Sequence, residues 1–295
     1  MTATPSVRDR AAAAALTAGV TVRTVHDVAG IADVADFFSD VWQTPRSTPP
    51  YPAEVLHSLV HAGGAVHAAY PAEGGGRGEP CGAAVAVFGE PSALDVYSFV
   101  AAARSSDRGV GLAVKQAQRV WALDRGARTM RWTFDPLVGR NARFNLVKLG
   151  AAGTEYLVDF YGPMTDGLND GDESDRLTVT WDLTEQDRTA DGPDGPSAPT
   201  AGTAVTLATA PDGAPLAVRA GDTVRCRVPA DVVELRAADP ALALRWRHAV
   251  REVFTRAFAD GYTATSMSRD GWYTLTPAST GPRAQEPHLQ EGTPA

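Results

Sequence analysis

An arginine and two glycines stand directly before a long amphipathic stretch in the middle of the chain: Arg108, Gly109 and Gly111. A helix that begins after a glycine-containing turn presents unpaired backbone N–H groups and a partial positive charge, which favour an anion, typically a phosphate. Glycine permits the turn and lets a ligand approach the main chain closely. The spacing therefore predicts an anion site, with an ordinary tight turn as the alternative.

Two common nucleotide-binding motifs do not fit this helix start. A GxGxxG fingerprint would need glycine where the chain has Val114, and GxxxxGK[ST] is absent because Leu112 follows Gly111. The motif R-x-x-G-x-A does fit, and it is formed by Arg108, Gly111 and Ala113. It lies between a predicted strand and a predicted amphipathic helix.

The elements that must position this motif follow from hydrophobic periodicity and from glycine and proline breaks. The patterns predict a strand, two helices, three antiparallel strands, the helix after Gly111, then a strand, a helix and two more strands. A right-handed crossover joins the strands on either side of that helix. In chain order the predicted ranges are 20–25, 32–42, a helix from 52, 65–70, 81–89, 94–103, the helix after 111, a strand ended by Pro136, 140–149, 154–162 and 175–183.

Beyond residue 184 the composition changes. Residues 185–203 are rich in Pro, Gly and Asp and predict a flexible linker, because they offer little apolar surface to bury. Residues 204–277 predict a smaller α/β extension of short strands around a helix at 241–258, with Trp246 and Val250 on its apolar stripe. Residues 1–18 and 278–295 are expected to be disordered tails, which leaves 19–184 as the main domain.

The motif and its surroundings resemble the GNAT superfamily, the acyl-CoA-dependent N-acetyltransferases, whose pyrophosphate motif is Q/R-x-x-G-x-G/A. The predicted order of elements is the GNAT order, and the run from Asn141 to Gly150 resembles the superfamily's later helix signature, which ends in K-x-G. The run WTFDPLVGRNARFNLVKLGA is similar to one predicted-acetyltransferase group with a long C-terminal extension. The resemblance covers residues 20–183 and implies an α/β (α+β) fold, a mixed sheet flanked by helices.

The resemblance implies a site for acetyl-CoA or another acyl-CoA. The strand backbone would bond to the pantetheine arm, and the start of the following helix would take the pyrophosphate. Asn141 would touch the arm, with a helix-start cap as an equal alternative. The implied cofactor-binding residues are Val100, Ala101, Ala103, Arg108, Gly109, Val110, Gly111, Leu112, Ala113 and Asn141.

Acyl transfer to an amine needs a proton acceptor for the amine and an acid for the leaving thiolate. In many GNAT enzymes that acid is a tyrosine two residues before the lysine of K-x-G, where this chain has Leu146. The remaining catalytic candidates are Tyr97, Ser98, Asp135, Tyr156 and Tyr161. A turn cap or an ion pair is the favoured alternative for Asp135, and a structural hydroxyl is an equal alternative for Tyr161.

The acceptor side of the predicted cleft is assigned to the segment around Trp42 and Arg46, together with Phe99 on the strand. Arg46 would hold a substrate carboxylate, because a guanidinium fork matches one bidentately. A solvated loop arginine is the alternative. The histidines and cysteines have no metal-ligand spacing, so we expect no metal.

Composition excludes several classes of function. The formal net charge of −8 argues against a nucleic-acid binder or a protein that binds anionic membranes, and no apolar run approaches the length of about 20 residues that a membrane helix needs. Two distant cysteines fit a reducing, cytoplasmic setting.

These observations together predict an acyl-CoA-dependent N-acyltransferase that acts on the amine of a small molecule. A non-catalytic acyl-CoA-binding protein and a GNAT fold used for other thioester chemistry are the alternatives. The apolar stripe of the extension helix also leaves open a homodimer.

Overall fold

A computed structural model describes residues 6–74, 78–104, 109–162, 172–184 and 204–278. The strands are β1 Val20–Val25, β2 Ala65–Pro71, β3 Gly82–Phe88, β4 Asp95–Ala103, β5 Thr129–Phe134, β6 Ala152–Leu157, β7 Arg176–Asp182, β8 Val205–Thr209, β9 Pro215–Ala220, β10 Thr223–Arg227, β11 Tyr262–Met267 and β12 Trp272–Pro277. The helices are α1 Val7–Thr17, α2 Val28–Trp42, α3 Ala53–His61, α4 Val110–Leu123, α5 Gly139–Arg143, α6 Val232–Ala238 and α7 Pro240–Ala259, and a π turn at Phe144–Lys148 continues α5.

All described strands form one mixed sheet in the order β1-β2-β3-β4-β5-β7-β6-β11-β12-β10-β9-β8. Neighbouring strands are antiparallel except β4 and β5, which are parallel and joined by α4. The predicted class, an α/β fold with a mixed sheet flanked by helices, is confirmed, and so is the order of elements through β7. β7 is not an edge strand of the sheet; it lies between β5 and β6 and pairs with both.

Helices cover both faces of the first half of the sheet. On one face α2 and α3 pack on β2 and β3 through an apolar cluster. On the other face α4 packs on β1 to β4, and α1 lies against α4. The buried members of the first cluster include Val34, Phe37, Phe38, Leu56, Val66 and Val85.

The expectation of a disordered tail over residues 1–18 is wrong for residues 6–18. Ser6 and Asp9 form a capping box at the start of α1, and Arg8 pairs with Asp124 at the far end of α4 at 2.6 Å. Alanine is the strongest helix former, yet a run of alanines carries no amphipathic pattern, so periodicity gave no signal for this helix.

The C-terminal extension continues the same sheet. β11 pairs with β6 through Ala264 and Gly153, and a Cβ added at Gly153 would lie only 2.9 Å from the Ala264 Cβ. The predicted strands, hairpin and apolar helix are confirmed, with Trp246 and Val250 of α7 buried in the core that also contains Leu177 of β7. The predicted linker at 185–203 and nearly all of the tail at 278–295 lie outside the described residues.

Within the described ranges, no helix combines the length and apolar character that a membrane-spanning segment requires.

Candidate functional site

The parallel strands β4 and β5 separate and leave a wedge between them. Their pairing begins at Asp95 with Thr129 and ends at Tyr97 with Arg131. From there β4 continues beside β3 and β5 continues beside β7. Among the described strands, none pairs with the β5-facing edge of β4 beyond Tyr97. The predicted pantetheine contacts at Val100, Ala101 and Ala103 all fall on this stretch of β4.

A β-bulge marks the start of the free stretch. Ser98 lies opposite Ala86 and Val100 lies opposite Val85, so Phe99 is an extra residue in β4. A bulge bends its strand and redirects side chains. Ser98 is therefore buried on the α4 side, whereas Phe99 is 42% exposed.

The helix start that the sequence singled out lies at the open end of the wedge. Gly109 is the N-cap of α4 with φ of +79°, a left-handed conformation that favours glycine, and no side chain caps the helix there. Gly111 has room for a larger residue, because an added Cβ would come no closer than 3.8 Å to the Phe144 ring. Arg108 lies outside the described residues.

One of the predicted pyrophosphate donors is unavailable. The N–H of Ala113 donates to the carbonyl oxygen of Gly109 at 3.0 Å, which makes it part of the first turn of the helix. The N–H groups of Val110, Gly111 and Leu112 have no acceptor among the described residues, as expected for the first turn of a helix. They therefore remain candidate donors to an anion.

A buried lysine bridges the apex of the wedge. Lys115 Nζ donates to Ser98 Oγ at 2.7 Å and lies 3.8 Å from the ring centroid of Trp132. Ser98 Oγ donates in turn to Gln118 Oε1 at 3.0 Å. Ser98 and Trp132 are the first residues of β4 and β5 beyond the last pair. Burial lowers the pKa of Lys115 to about 7, so a large fraction of the amine is neutral at physiological pH.

Sequence reasoning missed Lys115, although a signal was present. Gly111, Lys115 and Gln118 are spaced by four and three residues, which places them on one face of α4. A lysine in such a stripe is either buried or reaches to solvent, and sequence alone does not distinguish the two.

Two of the predicted catalytic candidates meet at the last paired position of the wedge. The side chain of half-buried Tyr97 lies close to the side chains of Thr133 and Tyr161. Burial raises the pKa of Tyr97, so it stays protonated and can donate. Tyr161 is 53% exposed, and the Arg176 guanidinium lies 5.0 Å from its ring centroid.

An aromatic wall lies on the α2 and α3 side of the wedge. Tyr51 contacts Trp42 at 5.7 Å and Phe99 at 5.6 Å between ring centroids, and Phe38 packs behind them. The structure thus brings together Trp42 and Phe99, which the sequence assigned to the acceptor side. Tyr51 connects them and was not predicted.

Arg46 does not have the free guanidinium that a substrate carboxylate would need. Its Nε and one terminal nitrogen donate to Asp40 at 3.1–3.2 Å, and the other terminal nitrogen donates to Asp36 at 3.2 Å. Arg46 is an exposed residue of the loop after α2, as the solvated-loop alternative expects, and its guanidinium forms surface ion pairs with two aspartates of that helix.

Asp135 is committed to a buried ion-pair network, so the geometry favours its structural alternative over catalysis. Its Oδ1 accepts from the Leu137 N–H at 2.9 Å, and its Oδ2 lies 3.1 Å from Arg236 and 3.0 Å from Arg247. Asp172 pairs with the same two arginines. A general base needs a free carboxylate oxygen, and Asp135 offers none.

Asn141 lies exposed on α5, and its predicted cap role is wrong because Val138 holds the N-cap position. Four residues later, Asn145 is buried and accepts from the Trp132 indole at 3.2 Å. Leu146, at the position where the resemblance implies a tyrosine in many relatives, is 2% exposed. The described residues contain no cluster of three or more possible metal ligands.

Several solved acetyltransferase structures are similar to part of this chain. An N-acetyltransferase from Staphylococcus aureus Mu50 is 14% identical with a TM-score of 0.44, covering 56% of this chain and 98% of its own. An aminoglycoside 6′-acetyltransferase type Ii is 13% identical with a TM-score of 0.43, covering 56% and 99%. The ribosomal-protein-S18-alanine N-acetyltransferase from Escherichia coli is 12% identical with a TM-score of 0.41, covering 58% and 97%.

No family model matches the chain, and no curated protein matches it. Fold alone identifies neither activity nor acceptor. The strand order, the open parallel pair β4–β5 and the glycine start of α4 agree with what the sequence resemblance to the GNAT superfamily implies.

Proposed function

We propose that the chain binds an acyl-CoA in the β4–β5 wedge and transfers the acyl group to the amine of a small molecule. The observation that carries the proposal is the free edge of β4, which runs from the Lys115 bridge at the apex to the glycine start of α4. The pantetheine arm bonds to the backbone of Val100, Ala101 and Ala103. The pyrophosphate lies on the N–H groups of residues 109–112, and we expect Arg108 to neutralise part of its charge.

In the proposed transfer, the amine nitrogen attacks the thioester carbonyl carbon and the C–S bond breaks. The oxyanion formed on the way needs a donor that already points at it, and a backbone N–H just beyond the Phe99 bulge is such a group. The amine loses one proton and the thiolate gains one, so the overall reaction needs no further reactant. Positioning of the two substrates supplies much of the rate.

Tyr97 is our candidate acid for the leaving thiolate, with Tyr161 in contact with it. Its hydroxyl is protonated, half-buried and at the apex of the wedge. Lys115 is the candidate proton acceptor, and Ser98 links it to the wedge. A group whose pKa lies near the working pH is well suited to general base catalysis. The aromatic wall of Trp42, Tyr51 and Phe99 favours an acceptor with an apolar body.

A second candidate function is acyl-CoA binding without transfer. Leu146 at the usual tyrosine place favours it. The first proposal includes a small-molecule acceptor and a cytoplasmic setting. It rests on the open wedge and does not depend on which acceptor is used.

The test is release of free thiol from acetyl-CoA and longer acyl-CoAs in the presence of a panel of small amines. We expect release with some amines and a loss of kcat in Tyr97→Phe of about 10²-fold or more, as for removal of a general acid. Tyr262→Phe, on a strand far along the sheet, is the matched control and should behave as wild type. Tight binding without thiol release from any pair would favour the second candidate instead.

A further inference from the structure

A serine and a lysine form a close pair at the apex of the wedge. Lys115 Nζ lies 2.7 Å from Ser98 Oγ, and both side chains are buried. The centroid of the Trp132 ring lies 3.8 Å from the same Nζ, and this contact holds the amine in place. A hydroxyl within hydrogen-bond reach of a base, which a third group orients, is the arrangement that enzymes use for covalent catalysis.

Lys115 has the chemistry of a base at this position. Among the described residues no carboxylate contacts its amine, and burial lowers the pKa of Lys115 to about 7. The neutral amine has a lone pair that accepts the Ser98 proton. A serine hydroxyl is a weak nucleophile until a neighbouring base takes its proton, and lysine is the base in some serine enzymes.

Ser98 also lies where the thioester of the proposed complex ends. It is the first residue of β4 beyond the last pair with β5, and no described strand pairs with the wedge side of β4 from there on. A pantetheine arm that bonds to Val100 and Ala101 brings its sulfur towards this end of the free edge. At the Phe99 bulge, Ser98 is directed to the α4 side, where Lys115 lies.

A third polar side chain at the apex has an atom without a partner. Gln118 Oε1 lies 3.0 Å from Ser98 Oγ, whereas Gln118 Nε2 is buried and has no acceptor among the described residues. Buried donors almost always have a partner, since an unmet one is costly. The carbonyl oxygen of an acyl group on Ser98 can supply the missing acceptor.

We propose, on the basis of the proposed function, that Ser98 takes the acyl group from coenzyme A when no amine is bound. Ser98 Oγ attacks the thioester carbonyl carbon, so a C–O bond forms and the C–S bond breaks. The Ser98 proton goes to Lys115, and Tyr97 gives a proton to the leaving thiolate. Coenzyme A then departs as the free thiol and an acyl ester remains at the apex.

An amine that arrives later takes the acyl group from this ester. Its nitrogen attacks the ester carbonyl carbon and the C–O bond breaks. Lys115 returns its proton to Ser98 Oγ, and the proton that the amine loses restores Tyr97. The products are those of direct attack on the thioester, and no further reactant is needed.

The test uses the full chain with acetyl-CoA and longer acyl-CoAs, without amine, followed by acid quenching. We expect a burst of free thiol equal in amount to the protein, and a mass increase of one acyl group on the peptide that contains Ser98. Neutral hydroxylamine should remove this group, because it cleaves an ester and leaves an amide intact. Ser98→Ala should lose the burst and the adduct. Ser92→Ala, at an exposed serine before β4, is the matched control and should keep both.

Two further variants separate the reaction from a structural role of Ser98. Ser98→Cys keeps a nucleophile at the same position and should form an adduct, now as a thioester. Lys115→Met keeps Ser98 but should slow the burst by about 10²-fold, the effect of losing a general base. Coenzyme A binding by each variant shows whether its wedge is intact.

The possible outcomes distinguish this inference from the proposed transfer. Thiol release with amines but no adduct in the wild type overturns the inference and leaves direct transfer in place. An adduct that resists hydroxylamine is an amide, on Lys115 or another amine, and overturns it as well. An ester on Ser98 without any transfer to amines supports the inference and contradicts the proposed function. If no acyl-CoA gives either an adduct or thiol release, both are wrong.

Discussion

Arg247 in the C-terminal half of the sheet and Lys115 in the N-terminal half are both buried basic side chains, but their partners differ. In the C-terminal half, Arg247 is fully buried and contacts the carboxylates of Asp135 and Asp172. In the N-terminal half, Lys115 is equally buried, and among the described residues no carboxylate contacts it; its partners are a hydroxyl and an indole face. Both cations lie against the same sheet, so the difference comes from their partners rather than from their depth.

The partners of the two side chains decide whether each keeps its charge when buried. Burial alone would lower the pKa of Arg247, but Asp172 and Asp135 raise it, so this arginine stays charged and joins α7 to the segment after β5. Lys115 has no such compensation and its amine loses its proton readily. A charge fixed by pairs serves the structure, whereas an amine with a pKa near neutrality is available for proton transfer.

The largest expected effect is in the paired half. Arg247→Met should lower the free energy of unfolding by about 3–5 kcal/mol, because it removes one of the two arginines that compensate the buried carboxylates of Asp135 and Asp172 and leaves only Arg236 for both. Urea unfolding measures it. Arg245→Met, on the exposed side of the same helix, is the control and should change stability by less than about 0.5 kcal/mol. Equal losses in both variants would mean that the network does not brace the extension.

The next effect, in the open half, is a pH dependence. The pKa of Lys115 is about 7 in the folded chain and 10.5 when exposed, so between these values the unfolded chain binds more protons. Stability of the wild type should therefore rise with pH across this window relative to Lys115→Met, with a slope of the order of 1 kcal/mol per pH unit. Unfolding curves from pH 6 to 10 measure the difference. Parallel curves would show that Lys115 keeps its proton and is paired like Arg247.

The smallest change in stability should come from the helix start. Gly111→Ala has room in the fold and should alter the free energy of unfolding by less than about 1 kcal/mol. If the pyrophosphate contacts the backbone at Gly111, the affinity for coenzyme A should nevertheless fall by roughly tenfold in this variant. A tenfold change corresponds to the loss of one contact. Unchanged affinity with unchanged stability would remove Gly111 from the site.

Sequence patterns predicted most of the fold because its elements alternate clearly between apolar and polar residues. The strand Val20–Val25 and the helix Pro240–Ala259 follow such patterns closely. The helix α1 has none, and the continuity of the sheet through Gly153 depends on a contact between residues more than one hundred positions apart.

The site was predictable only in outline. The motif of Arg108, Gly111 and Ala113 predicted where the helix begins. Residue spacing did not predict that the Ala113 N–H is used within the helix or that β4 has a bulge at Phe99, because both depend on local hydrogen bonding. Asp135 carried the signal of a catalytic carboxylate, and only the fold shows that two arginines from the distant helices α6 and α7 occupy it. The spacing of Gly111, Lys115 and Gln118 was visible in the sequence, but the chemistry of Lys115 depends on its burial, which the spacing does not give.

The most direct test of the account is a calorimetric titration of the full chain with coenzyme A and a panel of acyl-CoAs, comparing wild type with Arg108→Ala. We expect one acyl-CoA to bind selectively and the substitution to weaken this binding at least about tenfold, as for loss of a charged contact to phosphate. Absence of binding to every coenzyme A derivative would contradict the account, because the open wedge and the helix start would then be features of the fold alone.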